Sequence, residues 1–543
     1  MLHNSHNNVN NFSEINFEKM LLDINFTAPK IISMQGKKQH QEKLFQSVQL
    51  SERVPEDNIY RLLKKELEPQ MQFLYKATKH LYGNTGNPGI DPIVFFKLII
   101  VAYLENIISD RKLVSMSSMR LDILFFLGYD LDETIPVHST VSRTRQLYPK
   151  ELFESLFNKV FSMCVQTGMV GGHTQSIDSA LVKANASMGS MELKQPQMSV
   201  EQFMAQSDEE NKLPEKQSPI SSSTPLALTP KDTENQEPNE GRKKHYVKRS
   251  NQTHYSPSDP DARLKTKTGK PMQLNYQSGM SVDTDHHVIS HIQADFADEN
   301  DDKHLVALIE KTKARLEENE LQLENVLADT NFSTGPNYRY LEQENIQGFI
   351  PPQAGYKHEI DFIYDEQNDT YTCRNNKVLT YFQFYTNSAG QLKKEYKSTK
   401  ENCDGCPFRS SCLRKNYRTK KLTITAYRKE FGAAYERINS KKGRRMMRLR
   451  QSTVEPVFGS LINYFGMKKV NAKGIEAANK AMLGAAIAYN LKKYLKFNYK
   501  KAKCEAKALS KQLCNNGITL LKDLKAFLFE NYFELAVMEL ITS

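Results

Sequence analysis

The order of apolar and polar positions predicts a helical segment at the start of the chain. Leu62, Leu63 and Leu67 recur at the spacing of one helix face, and Asp91-Pro92 places a capping residue before a proline that opens another helix. Further helical patterns follow before the first strand-like segment. We therefore expect residues 50–165 to form an all-helical domain.

The pattern then changes to short strands with one long helix among them. The predicted strands alternate Val, Ile, Ser, Thr and His or form short apolar runs, and they cover Thr174–Ala184, Leu274–Phe296, Asn325–Ala328 and Asn345–Ile350. The amphipathic helix Asp302–Gln322 falls between the second and the third of these segments. Strands joined by a crossing helix are typical of an α/β fold.

The changes in pattern also predict the domain boundaries. Residues 188–261 are rich in Ser, Pro, Gln, Glu and Lys, and we expect a disordered insertion there because such a segment buries too little apolar surface to order itself. We predict a flexible N-terminal arm at 1–49 and the helical domain at 50–165. The α/β core follows in two pieces, 166–350 and 431–500. A β-rich insertion with cysteines lies between these pieces at 351–430, and a helical C-terminal tail covers 501–543.

Charge and composition narrow the class of partner and the compartment. The 543-residue chain has 74 Lys and Arg against 63 Asp and Glu, a net charge of +11, which indicates a polyanionic partner and favours nucleic acid over an anionic membrane. The most apolar stretches, Ile93–Ile108 and Ala481–Leu491, are too short or carry charges, so no membrane-spanning helix is expected. Seven cysteines, an odd number, fit a reducing cytoplasm better than a disulfide scaffold.

Two acidic residues follow apolar runs in the predicted core. Asp178 is expected at the end of the first core strand, and Asp329 follows the apolar run Val326–Ala328. Ligands collect at the carboxyl ends of strands in open α/β sheets, where a carboxylate can hold a hard cation. Each residue alone is more often a strand-ending or helix-capping aspartate.

A third acid lies close to a basic run. Glu455 is expected near the start of an apolar helix, where the helix dipole alone would favour an acid. Just before it, residues 441–450 carry six cations and no acid. Three carboxylates from two strand ends and a helix can hold two Mg²⁺ ions about 4 Å apart for attack on a phosphodiester. The basic run suits a site that also binds phosphates.

The chain resembles the DDE transposases of bacterial insertion sequences, most closely the insertion-sequence 1182 family. The resemblance covers about 40–495 and depends on the order and spacing of many short motifs. These are Val54–Asp57, Asp91–Lys97, Phe126–Tyr129, His138–Arg143, Ile177–Ser179, Ser258–Arg263, Asp283–Ile289, Val454–Gly459 and Ala481–Leu491.

The resemblance implies a ribonuclease H-like catalytic core with Asp178, Asp329 and Glu455 as the catalytic, metal-binding residues. The implied cofactor is Mg²⁺, as two ions, with Mn²⁺ as a substitute. Three positions depart from the family pattern: Phe332 stands where the family usually has Tyr, Ile462 stands where it often has a phosphate-binding Lys, and Gln451 occupies the expected Arg position. Other acids in or after the predicted hairpin remain open as ligands in place of Asp329, namely Asp283, Asp285, Asp295 and Asp298.

The resemblance also implies double-stranded DNA as the partner, both terminal inverted repeats and target DNA, and a homodimer in the synaptic complex. The protein is then expected in the bacterial cytoplasm, associated with the nucleoid when it binds DNA. A helix-turn-helix is predicted near Arg120–Arg145, with a bundle used for dimerisation as the alternative. The predicted DNA-binding residues are Arg143, Arg145, Arg444, Arg445, Arg448, Arg450, Lys468 and Lys469.

Four of the cysteines form a loose metal-binding pattern. Cys373, Cys403, Cys406 and Cys412 could make a structural, tetrahedral Zn²⁺ site in the β-rich insertion, with free buried thiols as the alternative.

Together, the residues and the resemblance predict a transposase that cleaves DNA at its element's ends and performs strand transfer. A ribonuclease H-like nuclease without strand transfer, or a DNA-binding regulator with an inactive core, are the alternatives.

Overall fold

The computed structural model describes residues 48–83, 85–86, 89–194, 249–266, 269, 271–353, 356, 361–388 and 390–515. Nearly all of the predicted arm, the centre of the predicted 188–261 insertion, and the tail after residue 515 lie outside the described residues. None of the described helices is long and apolar enough to cross a membrane.

The N-terminal part is built from eight α-helices among the described residues. They are α1 (Leu50–Arg53), α2 (Ile59–Leu67), α3 (Phe73–Thr78), α4 (Pro92–Leu104), α5 (Asp110–Ser117), α6 (Leu121–Leu127), α7 (His138–Leu147) and α8 (Lys150–Gln166). The central element is α4. Its N-cap Asp91 accepts hydrogen bonds from the backbone N–H groups of Ile93 and Val94, and Pro92 occupies the first turn, as the sequence indicates. Apolar residues all around α4 are buried, so it forms the core of this part.

The helix-turn-helix predicted near Arg120–Arg145 does not have the short turn of the DNA-binding motif. Its two helices are α6 and α7, and residues 128–137 separate them. A DNA-binding helix-turn-helix joins its helices by a turn of about three or four residues, which this connection exceeds. The interior of the segment packs with the other helices as part of one apolar cluster.

The core is a mixed sheet of six strands. They are β1 (Thr174–Lys183), β4 (Arg263–Lys265), β5 (Gln273–Asp283), β6 (Ile289–Phe296), β7 (Asn325–Leu327) and β8 (Gln347–Phe349), while β2 (Glu192–Leu193) and β3 (His254–Tyr255) form a separate pair. Five strands follow the order β6-β5-β1-β7-β8, and β4 pairs with the start of β5. The first three are antiparallel neighbours, whereas β7 and β8 are parallel to β1, with α9 (Leu305–Glu317) and α10 (Gly335–Gln343) in the connections. The predicted α/β class is therefore found as a mixed sheet with helices.

The ends of the predicted disordered insertion are ordered. Residues 188–194 and 249–261 include a 3₁₀ turn and the β2–β3 pair. Asp259 explains the order of the second end, because its buried carboxylate accepts from the Tyr276 hydroxyl at 2.6 Å and from the Gly474 N–H at 3.0 Å. The predicted boundaries of this insertion were therefore too wide.

The β-rich insertion is a second sheet with its own small core. It contains β9 (Phe362–Asp365), β10 (Thr370–Cys373), β11 (Val378–Thr386), β12 (Leu392–Lys397) and β13 (Lys421–Thr425), with the short helices α11 (Lys400–Cys403) and α12 (Arg409–Cys412) before the last strand. All neighbours pair antiparallel in the order β13-β12-β11-β10-β9. The core consists of Tyr371, Leu379, Tyr396 and Ile424.

Three helices complete the described chain: α13 (Arg428–Asn439), α14 (Lys441–Tyr464) and α15 (Ile475–Asn515). The apolar middle of α15 packs on α8, β6 and α4. The chain from Leu50 onward forms one unit by its contacts, so the helical part, the core and the β-rich insertion are not separate bodies.

Candidate active site

Asp178 lies in the middle of β1, not at its end. The strand continues to Lys183 because β5 pairs with it along this whole length, with Asp178 opposite Met280. The preceding residues Thr174–Ile177 are buried, and the Asp178 side chain is 17% exposed. Burial raises the pKa of Asp178 to about 6, although the Arg450 guanidinium and the Ser179 N–H act in the opposite direction.

Arg450 connects two of the three predicted catalytic acids. Its Nη2 donates to Oδ2 of Asp178 at 2.9 Å, and its Nη1 lies 3.4 Å from Oε1 of Glu455. The Arg450 side chain is only 8% exposed, and its Nε is buried without a hydrogen-bond partner. A buried guanidinium is therefore placed between the two carboxylates. Arg450 was predicted to bind DNA, but in this structure an internal ion pair occupies it.

Glu455 lies in the second half of α14, well after the first turn of that helix. The helix begins at Lys441, so the predicted helix start near Glu455 is wrong and the dipole does not explain the acid. The helix packs against β1, and this contact brings Glu455 and Arg450 to Asp178. The Glu455 side chain is 56% exposed, in contrast to the largely buried Asp178.

The basic run before Glu455 forms an exposed stripe along α14. Arg444, Arg445 and Arg448 are exposed, as is Glu455. Arg448 follows Arg445 by three residues and Arg444 by four, and Glu455 follows Arg448 by seven. These separations place the four side chains on one face of the helix. A negatively charged backbone that follows this stripe would arrive at Glu455.

Asp329 lies two residues after the end of β7 and caps a short 3₁₀ turn. Its carboxylate accepts from the Asn331 N–H at 3.0 Å and from Asn331 Nδ2 at 3.1 Å. The negative charge of Asp329 helps to raise the pKa of Asp178. The structure thus places the second predicted acid near the first, at the end of the adjacent parallel strand.

Asp301 is a fourth acid at this site that sequence reasoning missed. Asn331 Nδ2 also donates to Oδ2 of Asp301 at 3.2 Å, and Gln277 Nε2 donates to the other Asp301 oxygen. The charge of Asp301 further raises the pKa of Asp178. A signal was present in the acidic run after the β6 strand, where Asp301 follows Asp298 and Glu299.

The alternative acids in the hairpin have other partners. Asp283 accepts hydrogen bonds from the N–H groups of Gly172 and Asp285 and from Gln175, and thereby holds a buried turn. Asp295 accepts from Gln293 Nε2 at 2.9 Å, and Asp298 pairs with Arg263 at 3.4 Å. None of these contacts joins the group around Asp178.

The donor atoms suit a divalent cation, although the side chains do not enclose one. Carboxylate oxygens are the ligands that Mg²⁺ prefers, and buried Asp178 has two acidic neighbours and a single nearby cation. In the part of the chain that the structure describes, no three His, Cys, Asp or Glu side chains lie close enough to hold a metal ion. Asp178 and Glu455 are held by Arg450 instead.

The remaining predicted DNA-binding residues differ in exposure. Arg143 and Lys468 are exposed, whereas Lys469 is half-buried and its backbone forms a bridge to Lys183. Arg145 is 12% exposed and forms two hydrogen bonds with the Asp110 carboxylate at 2.7 and 2.8 Å. The predicted DNA contact of Arg145 is therefore wrong for this structure, because the buried ion pair between α5 and α7 occupies its guanidinium.

The four cysteines of the predicted zinc site line one cavity of about 130 Å³, as do Ser398 and Lys420. All four are free thiols, and Cys403 Sγ lies 3.0 Å from the Ser398 hydroxyl. The thiols are the right ligand type and face one space, but no three described side chains approach closely enough to share a metal. Zinc therefore stays a prediction.

Two comparisons with known protein families establish the class. Residues 48–147 match a transposase domain (DUF772), and residues 372–495 match a transposase DDE domain. The second match contains Glu455 but neither Asp178 nor Asp329. The chain is a DDE transposase, of the kind found in insertion sequences.

The comparison with solved structures gives a distant similarity. The cryo-EM structure of the piggyBac transposase synaptic complex with hairpin DNA aligns over 89% of this chain and 83% of that chain, with 10% sequence identity and a TM-score of 0.30. Among the curated proteins, none matches the chain.

Proposed function

We propose that this transposase binds the terminal inverted repeats of its element, cleaves the DNA there and joins the freed 3′-hydroxyl to target DNA in a Mg²⁺-dependent reaction. The observation that carries the proposal is the linkage of Asp178, Arg450 and Glu455 beside Asp329, at the end of an exposed basic stripe. We also propose that this transposase is similar to those of the insertion-sequence 1182 family.

The proposed core is ribonuclease H-like. Supporting this, the first three long strands are an antiparallel meander, and the two later strands add in parallel on the other side of β1. Asp178 on β1 and Asp329 after β7 lie on neighbouring parallel strands. The third acid comes from a helix that packs across both strands.

Asp178, Asp329 and Glu455 would hold the metal, and Mn²⁺ would substitute for Mg²⁺. When bound, two such ions activate water or a 3′-hydroxyl and stabilise the charge that develops on the phosphate. The chain's residues prepare for this in two ways. Burial keeps Asp178 away from bulk water, and Asn331 fixes both Asp329 and Asp301 through its side-chain amide.

Arg444, Arg445 and Arg448 would guide the DNA backbone toward Glu455. Guanidinium groups form paired hydrogen bonds with phosphate oxygens, and the exposure of these three leaves them accessible. Synapsis of two DNA ends requires two catalytic sites, so we propose a homodimer when DNA is bound. The proposed place of action is the bacterial cytoplasm, at the nucleoid.

The test is a strand-transfer assay with labelled duplexes taken from the inverted repeats that border the gene, in Mg²⁺ and with plasmid target. Joined products support the proposal. Cleaved but unjoined ends would indicate a nuclease without strand transfer, and binding without either would indicate a regulator with an inactive core. Both outcomes contradict the proposal.

A further inference from the structure

Most of the chain's excess positive charge lies in the β-rich insertion. Residues 362–425, from the start of β9 to the end of β13, contain twelve Lys and Arg and six Asp and Glu, a net charge of +6 out of +11 for the whole chain. The catalytic proposal uses none of these residues. A small domain with this charge is expected to attract a polyanion.

The strand register places part of this charge on one face of the sheet. Lys397 lies opposite Thr380 and Lys421, and Glu395 lies opposite Gln383 and Thr423. Residues opposite each other, and residues two apart on one strand, project from the same face. We name this the open face, which consists of Thr380, Phe382, Gln383, Tyr385, Lys393, Glu395, Lys397, Lys421, Thr423 and Thr425.

The other face contains the small core of the insertion and two exposed aromatic residues, Tyr381 and Phe384. It carries Tyr396 and Ile424, which pack with Tyr371 and Leu379 in the small core of the insertion. On the open face, Thr380, Phe382, Gln383, Lys421 and Thr423 are exposed. The sheet therefore has one face that carries the apolar core and a second face on which Lys, Thr and Gln side chains predominate.

An irregularity in β11 adds an exposed aromatic ring to the open face. The register with β12 shifts between Tyr381 and Gln383, so Phe382 is the additional residue. The ammonium groups of Lys397 and Lys421 lie 4.9 and 5.5 Å from the centre of its ring. These contacts hold two cations side by side on a ring that is 49% exposed.

Glu395, the one acid of this face among the described residues, pairs with one of its three lysines. Glu395 is buried and its Oε1 lies 3.0 Å from the Lys421 ammonium. Lys393 and Lys397 remain, together with the hydroxyl and amide groups of Thr380, Gln383 and Thr423. Lys, Thr and Gln are the side chains that commonly contact phosphate and sugar in protein–DNA complexes.

We propose that the open face binds the sugar–phosphate backbone of duplex DNA. This inference rests on the proposed DNA-processing function, and it adds to that function a surface that binds the duplex. The two lysines that remain give the face a positive charge, which is complementary to DNA.

The experiment measures binding of the full-length protein to a fluorescein-labelled duplex from the DNA that borders the gene, over about 50 to 200 mM salt. The variant Lys393→Gln/Lys397→Gln removes the two charges of the open face that the Glu395–Lys421 pair leaves available. The control Lys377→Gln/Lys400→Gln removes two exposed charges from the same insertion outside this face. Both variants have the same net charge, so a diffuse electrostatic effect would be equal in the two.

For the open-face variant we expect the slope of log affinity against log salt to fall by about 0.9 per lost phosphate contact, and affinity to fall about tenfold or more at low salt. The control should change neither quantity substantially. Equal effects in both variants, or no effect in the first, would overturn the proposal. The proposal would also be overturned if the open-face variant lost self-association, measured by light scattering, and kept its DNA binding.

A second measurement needs no variant. Acetylation of lysines in the wild-type protein, followed by mass spectrometry, should show Lys393 and Lys397 protected by DNA while Lys377 and Lys400 stay reactive. Equal reactivity with and without DNA would refute the open face. Failure of the proposed function gives a different result, since the wild type would then bind or cut the bordering DNA no better than an unrelated duplex.

Discussion

The guanidinium of Arg450 donates a hydrogen bond of 2.9 Å to the carboxylate of Asp178 across a sequence separation of 272 residues, and both side chains are largely buried. The contact joins α14 to the middle of β1. It also places a fixed positive charge where the proposed reaction needs a metal ion.

The first prediction concerns the stability that this ion pair provides. Arg450→Gln leaves the buried Asp178 without its cation, and removing one partner of a buried pair is destabilising. Because the pKa of Asp178 is already raised to about 6, a proton can replace the lost charge and limit the cost to about 2 kcal/mol. Urea unfolding at neutral pH measures this.

Arg448→Gln is the matched control, since Arg448 is exposed on the same helix. Its unfolding free energy should stay within about 0.5 kcal/mol of the wild type. If both variants lose the same stability, the pair with Asp178 does not stabilise the fold.

The second prediction separates the acids near the site. Asp329→Asn should abolish cleavage. Asp301→Asn should weaken cleavage by about tenfold, because Asn331 would lose one of the two carboxylates that orient it. Asp298→Asn should leave cleavage close to the wild-type rate, because Asp298 pairs with Arg263 instead. Cleavage that survives Asp329→Asn but is lost in Asp298→Asn would show that the second acid is misassigned.

How far the sequence could define this site differs among its residues. Asp329 was predictable, because a buried apolar run ends just before it. Asp178 was expected at a strand end and Glu455 near a helix start, and both expectations failed because β5 extends β1 and because α14 begins at Lys441. The local order of apolar and polar residues shows neither which strand pairs with β1 nor where α14 begins.

The ion pairs of Arg145 and Arg450 could not be predicted for a related reason. Each arginine lies in a basic, helical sequence context that is typical of DNA contact. Their acidic partners, Asp110 and Asp178, are brought to them by the packing of other elements. Burial of a particular arginine is a tertiary property, and the sequence shows only the sum of charges.

The third prediction concerns pH and a residue away from the site. His291 is buried, and its Nδ1 faces Arg315 Nη1 at 2.9 Å while its Nε2 contacts Gln293 Oε1 at 3.3 Å. Burial and the Arg315 charge hold the pKa of His291 well below its usual value of 6.5, so the folded protein keeps the ring neutral. As pH falls below about 6.5, the unfolded chain takes up a proton that the folded protein refuses, and stability falls.

Thermal unfolding between pH 7.5 and 5 checks this dependence. His291→Asn keeps an acceptor for Arg315 and lacks a titrating ring, so its loss of stability toward low pH should be smaller than that of the wild type, by up to about 1.4 kcal/mol per pH unit. The exposed His80→Asn is the control and should follow the wild type. Parallel curves for wild type and His291→Asn would contradict the assignment.

The fourth prediction concerns the cysteine cavity. We expect about one zinc ion per chain in protein purified without chelator, because four free thiols line one space. Elemental analysis by mass spectrometry measures this. Cys406→Ser should lower the zinc content and the melting temperature, whereas Cys504→Ser, at an exposed lone cysteine, should change neither. A zinc-free wild type would leave the thiols as free cysteines.

The most direct test of the central claim compares wild type with Asp178→Asn in the strand-transfer assay, using labelled ends from the DNA that borders the gene. The wild type should cleave and join in Mg²⁺. Asp178→Asn should bind the same DNA with unchanged affinity while cleavage and joining both fall by a factor of about 10³ or more. Joining by Asp178→Asn at the wild-type rate would contradict the account.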